Sequence, residues 1–327
     1  MSRVLLLLCG LGASARPPLT SLKPVSHGSS SRCASAVGII GKGLSSSHMG
    51  SRLRAVQKQP GATPLQRNMK TWAFSGSGFP SNYNDVVRRA SGAVRQMIED
   101  GKQLIEIEFP VTGLAAVPGD GEGAGEMTLS AQYTREILIA MESMNRRTRV
   151  FFPDEQEAKR QTKLFKDVNN IKIDFLTRPS PLGDLGLDPF KVEMRDRIKV
   201  DDELFVIAYP SFNPNEMIAV RELADQDDMR RPIIVINGEL DRIRSGYYPA
   251  FFYPRLQGAM KGFLENFDQA LYIHNFKGTR GGALLRTYPG EYQVFRRDGL
   301  GIDVREVHSQ EKMPSLKEVS LEILPRY

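Results

Sequence analysis

Two short runs of apolar residues constrain the fold of this chain more than any other feature. Leu204–Tyr209 and Pro232–Ile236 are continuously apolar. Runs of this length are typical of strands that are buried on both faces, and such strands occur in parallel sheets that helices cover on both sides. A strand-then-helix pattern recurs through the middle of the chain, which predicts crossover connections between parallel strands.

The C-terminal part of the sequence has a different pattern. Three predicted strands, 270–276, 283–288 and 292–297, are joined by short turns that contain Lys277-Gly278 and Pro289-Gly290. Connections this short permit only antiparallel pairing. The sequence therefore predicts the α/β fold class: a mixed sheet of mainly parallel strands with crossover helices, Rossmann-like, plus a C-terminal antiparallel meander.

Helix starts are marked by capping residues or by proline. Asn84 is the predicted cap of the first helix. Asp154, with Glu157 three residues later, matches a capping box. Asn213 followed by a proline is the clearest start in the chain, and Pro254 opens a further helix.

The first 70 residues differ in composition from the rest of the chain. The full sequence has 44 Lys and Arg residues, 38 Asp and Glu residues and a formal charge of +6. Ten of the bases and none of the acids lie in residues 1–70, which leaves 34 bases against 38 acids, a net charge of −4, for the remainder. Both cysteines, Cys9 and Cys33, also lie in this first segment.

A basic, serine-rich segment without acids and without an apolar period is typical of an organellar transit peptide. We expect residues 1–70 to be a disordered plastid transit peptide, processed near Val56, ahead of a single α/β domain over residues 74–327. A mitochondrial presequence is an alternative. The apolar run Val4–Leu11, followed by Ala-Ser-Ala, leaves open a secretory signal, alone or ahead of a transit peptide.

The composition of the predicted domain restricts its chemistry. It has no cysteine, which excludes disulfides, thiolate metal sites and cysteine nucleophiles, and its two histidines are too few for a histidine metal cluster. Neither a Ser-His-Asp order nor a spaced pair of acids stands out. The sequence therefore predicts no catalytic residue, no metal ligand and no cofactor, and the negative charge disfavours nucleic acid as a partner.

Polar residues follow three of the predicted parallel strands, at the edge where an open α/β sheet binds ligands. Oxygen-rich side chains that converge there suit a hard cation or a sugar. Two of them also fit a purely structural role as helix caps, and an Asn-Gly pair is common in turns. The candidate ligand-binding residues are Asp154, Tyr209, Asn213, Asn237, Glu239 and Asp241.

Basic residues interleaved with aromatic ones form the most unusual stretch of the sequence. Such a stretch can bind a protein partner or stack on nucleic-acid bases. The negative charge of the domain is less consistent with nucleic acid. A loop that packs its aromatic rings into the core is the alternative. The candidate interaction surface consists of Arg242, Arg244, Tyr247, Tyr248 and Arg255, with Phe251, Phe252 and Tyr253 between them.

Three stretches resemble an uncharacterised family of plastid and cyanobacterial proteins over roughly residues 80–300. They are Val150-Phe-Phe-Pro-Asp-Glu155, Arg231-Pro-Ile-Ile-Val-Ile-Asn237 and the segment from Leu271 to Phe295 with its Tyr-Pro-Gly turn. That family, a domain of unknown function, includes a factor named for low photosystem II accumulation and the C-terminal domain of a plastid adenylate kinase. The chain departs from the family at Tyr292, where a tryptophan is usual.

The resemblance implies a chloroplast protein of the stroma or the stromal face of the thylakoid. We therefore expect an auxiliary protein, a non-enzymatic photosystem assembly or interaction factor that binds a protein partner. Peripheral thylakoid association is compatible with this role, whereas a transmembrane segment is not expected. The alternative is an enzyme or sensor that binds a nucleotide or sugar phosphate at the carboxyl edge of the parallel sheet.

Overall fold

A computed structural model describes residues 78–117, 124–178, 192–211, 213–278, 281–297 and 304–327. All of these residues belong to one compact unit, Thr71–Tyr327. The predicted transit peptide, its processing site and its boundary at residue 70 lie outside the described residues.

Nine strands form a single mixed sheet within this part of the chain. Their order across the sheet is third, second, fourth, fifth, first, sixth, seventh, eighth and ninth. The first six pair in parallel, and the sixth to the ninth pair in antiparallel fashion, so the predicted fold class is confirmed. The strands are β1 (Leu104–Glu108), β2 (Thr148–Asp154), β3 (Ile171–Thr177), β4 (Leu204–Ala208), β5 (Ile233–Ile236), β6 (Asp268–Phe276), β7 (Gly282–Thr287), β8 (Tyr292–Arg297) and β9 (Val304–Gln310).

Helices cover both faces of the sheet, and a short helical segment ends the chain. None of the helices in the described ranges is both long enough and apolar enough to cross a membrane. The helices are α1 (Tyr83–Glu99), α2 (Ala124–Met141), α3 (Glu155–Gln161), α4 (Met194–Arg197), α5 (Pro214–Gln226), α6 (Leu240–Arg244) and α7 (Pro254–Met260). The C-terminal segment joins α8 (Leu316–Glu318), a π-helical turn (Val319–Ile323) and α9 (Leu324–Arg326).

Capping residues start the helices largely as the sequence predicts. Asp154 and Asn213 cap α3 and α5 by accepting hydrogen bonds from backbone N–H groups at 2.8 Å. The prediction of Asn84 as the cap of α1 is wrong, because Asn82 is in the extended conformation and accepts from the N–H of Asp85. The predicted capping box is also wrong, because the Glu157 carboxylate accepts from the Tyr209 hydroxyl instead.

Apolar clusters lie on both faces of the sheet. On one face, α1 and α2 pack against β1, β2, β4 and β5. On the other face, α5, α6 and α7 cover the same strands. A third cluster joins β6, β7 and β8 to the C-terminal helical segment. Side chains on β1 alternate between the faces, so Ile105 and Ile107 enter the first cluster while Leu104, Glu106 and Glu108 point to the opposite side.

Candidate functional site

Buried polar side chains interrupt the apolar packing on the α6 side of the sheet. The carboxylate of Glu106, in the middle of β1, is fully buried. A buried carboxylate is costly unless a partner compensates its charge. The partner is Arg244, the last residue of α6, whose Nη1 donates to Oε1 of Glu106 at 3.0 Å and whose Nη2 donates to Oε2 at 2.7 Å.

Two further residues complete the hydrogen bonding of this ion pair. The side-chain amide of Gln269 donates to Oε2 of Glu106 at 2.9 Å. Arg244 also donates to Oδ1 of Asp241 at 3.2 Å, and the hydroxyl of Tyr272 donates to Oδ2 of Asp241 at 2.5 Å. We call these five residues, Glu106, Asp241, Arg244, Gln269 and Tyr272, the polar clamp, because they tie α6 to strands β1 and β6.

An irregularity in β6 places two clamp residues on the same face. Glu106 pairs with Gln269 and Glu108 pairs with Tyr272, with a register shift between them. In a regular strand, residues three apart point to opposite faces. The bulge at this shift corrects the alternation, so that Gln269 and Tyr272 both face α6.

Burial and neighbouring charges set the protonation behaviour around the clamp. Burial and the nearby Asp241 carboxylate raise the pKa of Tyr272 well above its usual value, so its hydroxyl remains a donor. His274 lies beside this pair, with Nδ1 at 3.9 Å from Oδ2 of Asp241. Burial lowers the pKa of His274, and this effect exceeds that of the Asp241 carboxylate, which raises the pKa.

Glu108 is the carboxyl group next to the clamp that has no cationic partner among the described residues. Its Oε2 accepts from the backbone N–H of Glu239 at 3.0 Å. Burial, followed by the carboxylates of Glu106, Glu239 and Asp241, raises the pKa of Glu108 well above the ordinary value of 4.5. The folded domain therefore favours the neutral form of this side chain.

The clamp holds the base of an exposed aromatic segment. Helix α6 carries Asp241 and Arg244 and leads directly into residues 245–253, which we call the aromatic loop. Four of its rings are exposed: Tyr247 by 66%, Phe251 by 88%, Phe252 by 73% and Tyr253 by 39%. Exposed aromatic clusters of this kind are unusual on a protein surface and mark interaction sites.

The aromatic loop is internally ordered although its rings face solvent. The rings of Phe251 and Phe252 contact each other edge to face, with centroids 5.1 Å apart. Tyr248 contacts Tyr247 and Tyr253 at the same centroid distance. The N–H groups of Phe252 and Tyr253 donate to the carbonyl of Pro249 at 3.0 and 2.9 Å, which closes a tight turn.

The six predicted ligand-binding residues lie at two places along the carboxyl edge of the parallel strands. At the end of β2 and β4, Asp154 caps α3, and Tyr209 is buried with its hydroxyl 3.0 Å from Oε1 of Glu157. Asn213 caps α5. These residues are therefore engaged in local structure.

The other three candidates follow β5. The amide oxygen of the buried Asn237 accepts from the N–H of Phe109 at 3.1 Å, and Asp241 belongs to the polar clamp. Glu239 pairs with Arg242 at 2.7 Å. Tyr209, Asn237 and Glu239 have left-handed backbone conformations, with φ of 38°, 50° and 47°. Such conformations are uncommon for residues other than glycine and are frequent at functional sites.

A small open pocket lies at the carboxyl ends of β4 and β5. Gly238 forms part of its wall, and a Cβ atom there would lie 2.5 Å from Cγ1 of Val235, so the close packing requires glycine. Among the described residues, no group of three His, Asp or Glu side chains is arranged to hold a metal ion. Other residues around the pocket are Pro210, Ser211, Asn213, Glu239, Arg242 and Tyr248.

The predicted interaction residues have different environments. Arg244 is mostly buried in the clamp, and Arg242 lies 5.8 Å from the ring centre of Tyr247. Tyr247 and Arg255 are exposed, whereas Tyr248 is half-buried. The alternative, in which the aromatic rings of this loop pack into the core, is wrong for Tyr247, Phe251 and Phe252.

The polar clamp was not predicted as a unit from the sequence. A signal was present, because Glu106 and Glu108 occupy alternate positions in a strand whose other residues are apolar. Two acids on one face of a strand inside a helix-covered sheet indicate a buried polar network. Their partners were not identifiable, because Arg244 and Gln269 lie 138 and 163 positions away from Glu106.

A comparison with protein families finds a family that matches most of the chain. Residues 80–321 match a family described as a domain of unknown function (DUF1995). The matched region contains the polar clamp and the aromatic loop. No curated protein matches the chain.

Proposed function

The chain belongs to this DUF1995 family, and on that premise we propose that its domain is a non-enzymatic interaction factor that docks through the aromatic loop. The exposure of Tyr247, Phe251 and Phe252 carries the proposal. Solvent-exposed aromatic rings leave a large apolar area in water, and covering them stabilises a complex.

The polar clamp supports this role because it fixes the position of the loop. Arg244 ends α6 and is held by both oxygens of Glu106, so the loop that follows starts from a defined point on the sheet. A pre-positioned loop loses less conformational entropy when it binds. The ordered rings and the turn at Pro249 act in the same direction.

The finer role that we propose is photosystem II assembly in the chloroplast. It rests on the resemblance of the domain to plastid proteins, among them an assembly factor, and on the basic, acid-free residues 1–70. The domain then works in the stroma or at the stromal face of the thylakoid with a protein partner. A fusion of residues 1–77 to a fluorescent protein tests the compartment, since mitochondrial or secretory targeting would contradict it.

Affinity capture from isolated chloroplasts tests the function. The full chain should recover photosystem subunits or assembly factors, and the Phe251→Ala/Phe252→Ala variant should recover far less of them. Leu321→Ala/Tyr327→Ala is the matched control, because it removes two exposed apolar side chains from the C-terminal helical segment instead. Normal photosystem levels in a knockout, with equal capture by both variants, would contradict the proposal.

The alternative function is a small-molecule enzyme or sensor at the carboxyl edge of the sheet. It is favoured by the pocket at Gly238 and by the raised pKa of the Glu108 carboxyl, which accepts from the backbone N–H of Glu239. A ligand that binds only the folded state raises the melting temperature. A thermal-shift series with nucleotides and sugar phosphates tests this alternative, and no shift with any of them would exclude those ligand classes at this site.

A further inference from the structure

We infer that the direct target of the aromatic loop is the surface of an anionic lipid bilayer, into which Phe251 and Phe252 insert at the level of the headgroups. This inference deepens the proposed function, because it rests on the aromatic loop being the docking surface and names what that surface contacts. The protein partner of the assembly factor lies at that bilayer, so attachment through the loop brings the domain to it.

The polarity of the loop changes with position as it does across a bilayer interface. Residues 249–252, Pro-Ala-Phe-Phe, carry no polar side-chain atom. Tyr247 and Tyr253, each with a hydroxyl group on its ring, lie on either side of them. The positively charged Arg255 follows. Phenylalanine in the apolar layer, tyrosine at the headgroups and arginine at the phosphates is the arrangement that a membrane interface favours.

The backbone of the turn is suited to an environment with little water. Pro249 and Pro254 have no N–H group, and the N–H groups of Phe252 and Tyr253 already donate to the carbonyl of Pro249. An N–H group that loses water without gaining a partner is costly in lipid. Four of the six residues in 249–254 therefore bring no unsatisfied donor into the interface.

Charge segregation selects an anionic surface. Residues 242–264 contain four basic side chains and no acid, although residues 71–327 have a net charge of −4. Arg242 and Arg244 pair with Glu239 and Glu106. Arg255 and Lys261 are exposed and form no ion pair with any described residue, which leaves them available to lipid phosphates.

A lipid target also fits the absence of directional groups at the tip of the described loop. Protein interfaces carry about one hydrogen bond per 100–200 Å² of buried area. The Pro-Ala-Phe-Phe tip offers ring surface and no side-chain donor or acceptor. A fluid bilayer accepts such a tip without a matching pocket.

A tryptophan reporter tests insertion at the loop itself, which matters because the basic residues 1–70 of the full chain also attract anionic vesicles. The chain has one tryptophan, Trp72, so Trp72→Phe provides a silent background. In that background, Phe251→Trp is compared with Tyr327→Trp, a substitution of another exposed aromatic residue. The probe is vesicles of phosphatidylcholine with about one third phosphatidylglycerol, with or without brominated acyl chains.

We expect the emission of the Phe251→Trp protein to shift to shorter wavelength and to be quenched by brominated lipid, with neither change in the Tyr327→Trp protein. Arg255→Gln/Lys261→Gln should lower the affinity for the vesicles about thirtyfold, as expected for two fewer basic contacts at about 1 kcal/mol each. Unquenched emission of the Phe251→Trp protein at a saturating concentration of brominated vesicles would overturn the inference.

The two proposals fail in distinguishable ways. If Phe251→Ala/Phe252→Ala loses the captured photosystem partners while the reporter is not quenched by lipid, the loop is a protein-docking surface and the lipid inference is wrong. If the reporter is quenched while photosystem levels in the knockout are normal, the loop binds lipid and the assembly role is wrong.

Discussion

At the scale of single residues, the Glu106–Arg244 pair is the contact on which the position of the aromatic loop depends. Glu106 is fully buried, and Arg244 retains 23% side-chain exposure. Removing one partner of a buried pair leaves an uncompensated charge, which costs more than the pair itself contributes. The pair also joins two segments 138 positions apart.

Arg244→Met should lower the free energy of unfolding by about 3 kcal/mol, because Glu106 then lacks its cation. Guanidinium unfolding of the full chain measures this change. Arg326→Ala, which removes the exposed Arg326–Glu322 pair, should leave the unfolding midpoint unchanged. In Glu106→Gln/Arg244→Met no unpaired charge remains at position 106, so part of the loss should return. A double variant as unstable as the sum of the single changes would contradict this interpretation of the pair.

Glu108 gives a pH dependence of defined sign. Its pKa is raised in the folded domain, so above the ordinary value of 4.5 the folded state holds a proton that the unfolded chain releases. Stability therefore falls as the pH rises from about 4.5 through the raised pKa. Glu108→Gln cannot ionise, while its amide oxygen can still accept from the Glu239 N–H.

The melting temperature of Glu108→Gln minus that of the unchanged protein should increase as the pH rises from about 5 towards the raised pKa of Glu108. Titrating groups that do not interact with Glu108 contribute equally to both proteins and cancel in this difference. A difference that is constant or decreases with pH would show that Glu108 is ionised in the folded domain.

At the scale of helices and strands, local sequence patterns were sufficient to predict the elements that are determined by local chemistry. The apolar run at Leu204 gives β4, and the Asn213 cap with its proline gives α5. The prediction that Asn84 caps α1 was wrong, because Asn82, an equally good capping residue two positions earlier, is the cap. Strand β9 was missed, because its residues are half-buried or exposed and carry no apolar run.

The polar clamp illustrates what a sequence pattern cannot supply. Gln269 and Tyr272 share a face only because of the register shift between β1 and β6, and period-two alternation assigns them to opposite faces. The exposure of Phe251 and Phe252 was equally hidden, since an aromatic run is as compatible with the core as with the surface. Both features depend on tertiary contacts.

Two variants of Asn213 test whether the role of this side chain is to cap α5. Asn213→Ala should destabilise the domain by about 1 kcal/mol, because the N–H of Asn215 at the start of α5 loses its acceptor. Asn213→Asp keeps an acceptor at a helix N-terminus and should retain the stability. Equal destabilisation by both changes in chemical unfolding would show that capping is not the role of this side chain.

At the scale of the whole molecule, charge and apolar exposure are separated along the chain. The overall charge of +6 combines ten bases in residues 1–70 with a remainder of net charge −4. Within that remainder, the exposed rings of the aromatic loop lie in a segment without acids. In the function that we propose, the basic N-terminal residues direct the protein to its compartment and the aromatic loop attaches the domain there.

The most direct test of the aromatic loop as the docking surface is the fraction of the protein that sediments with membranes and their complexes from gently lysed chloroplasts. Phe251→Ala/Phe252→Ala should move the protein to the soluble fraction without changing its melting temperature, because the two rings are exposed. Leu321→Ala/Tyr327→Ala should sediment like the unchanged protein. Equal sedimentation of all three proteins would contradict docking through the aromatic loop.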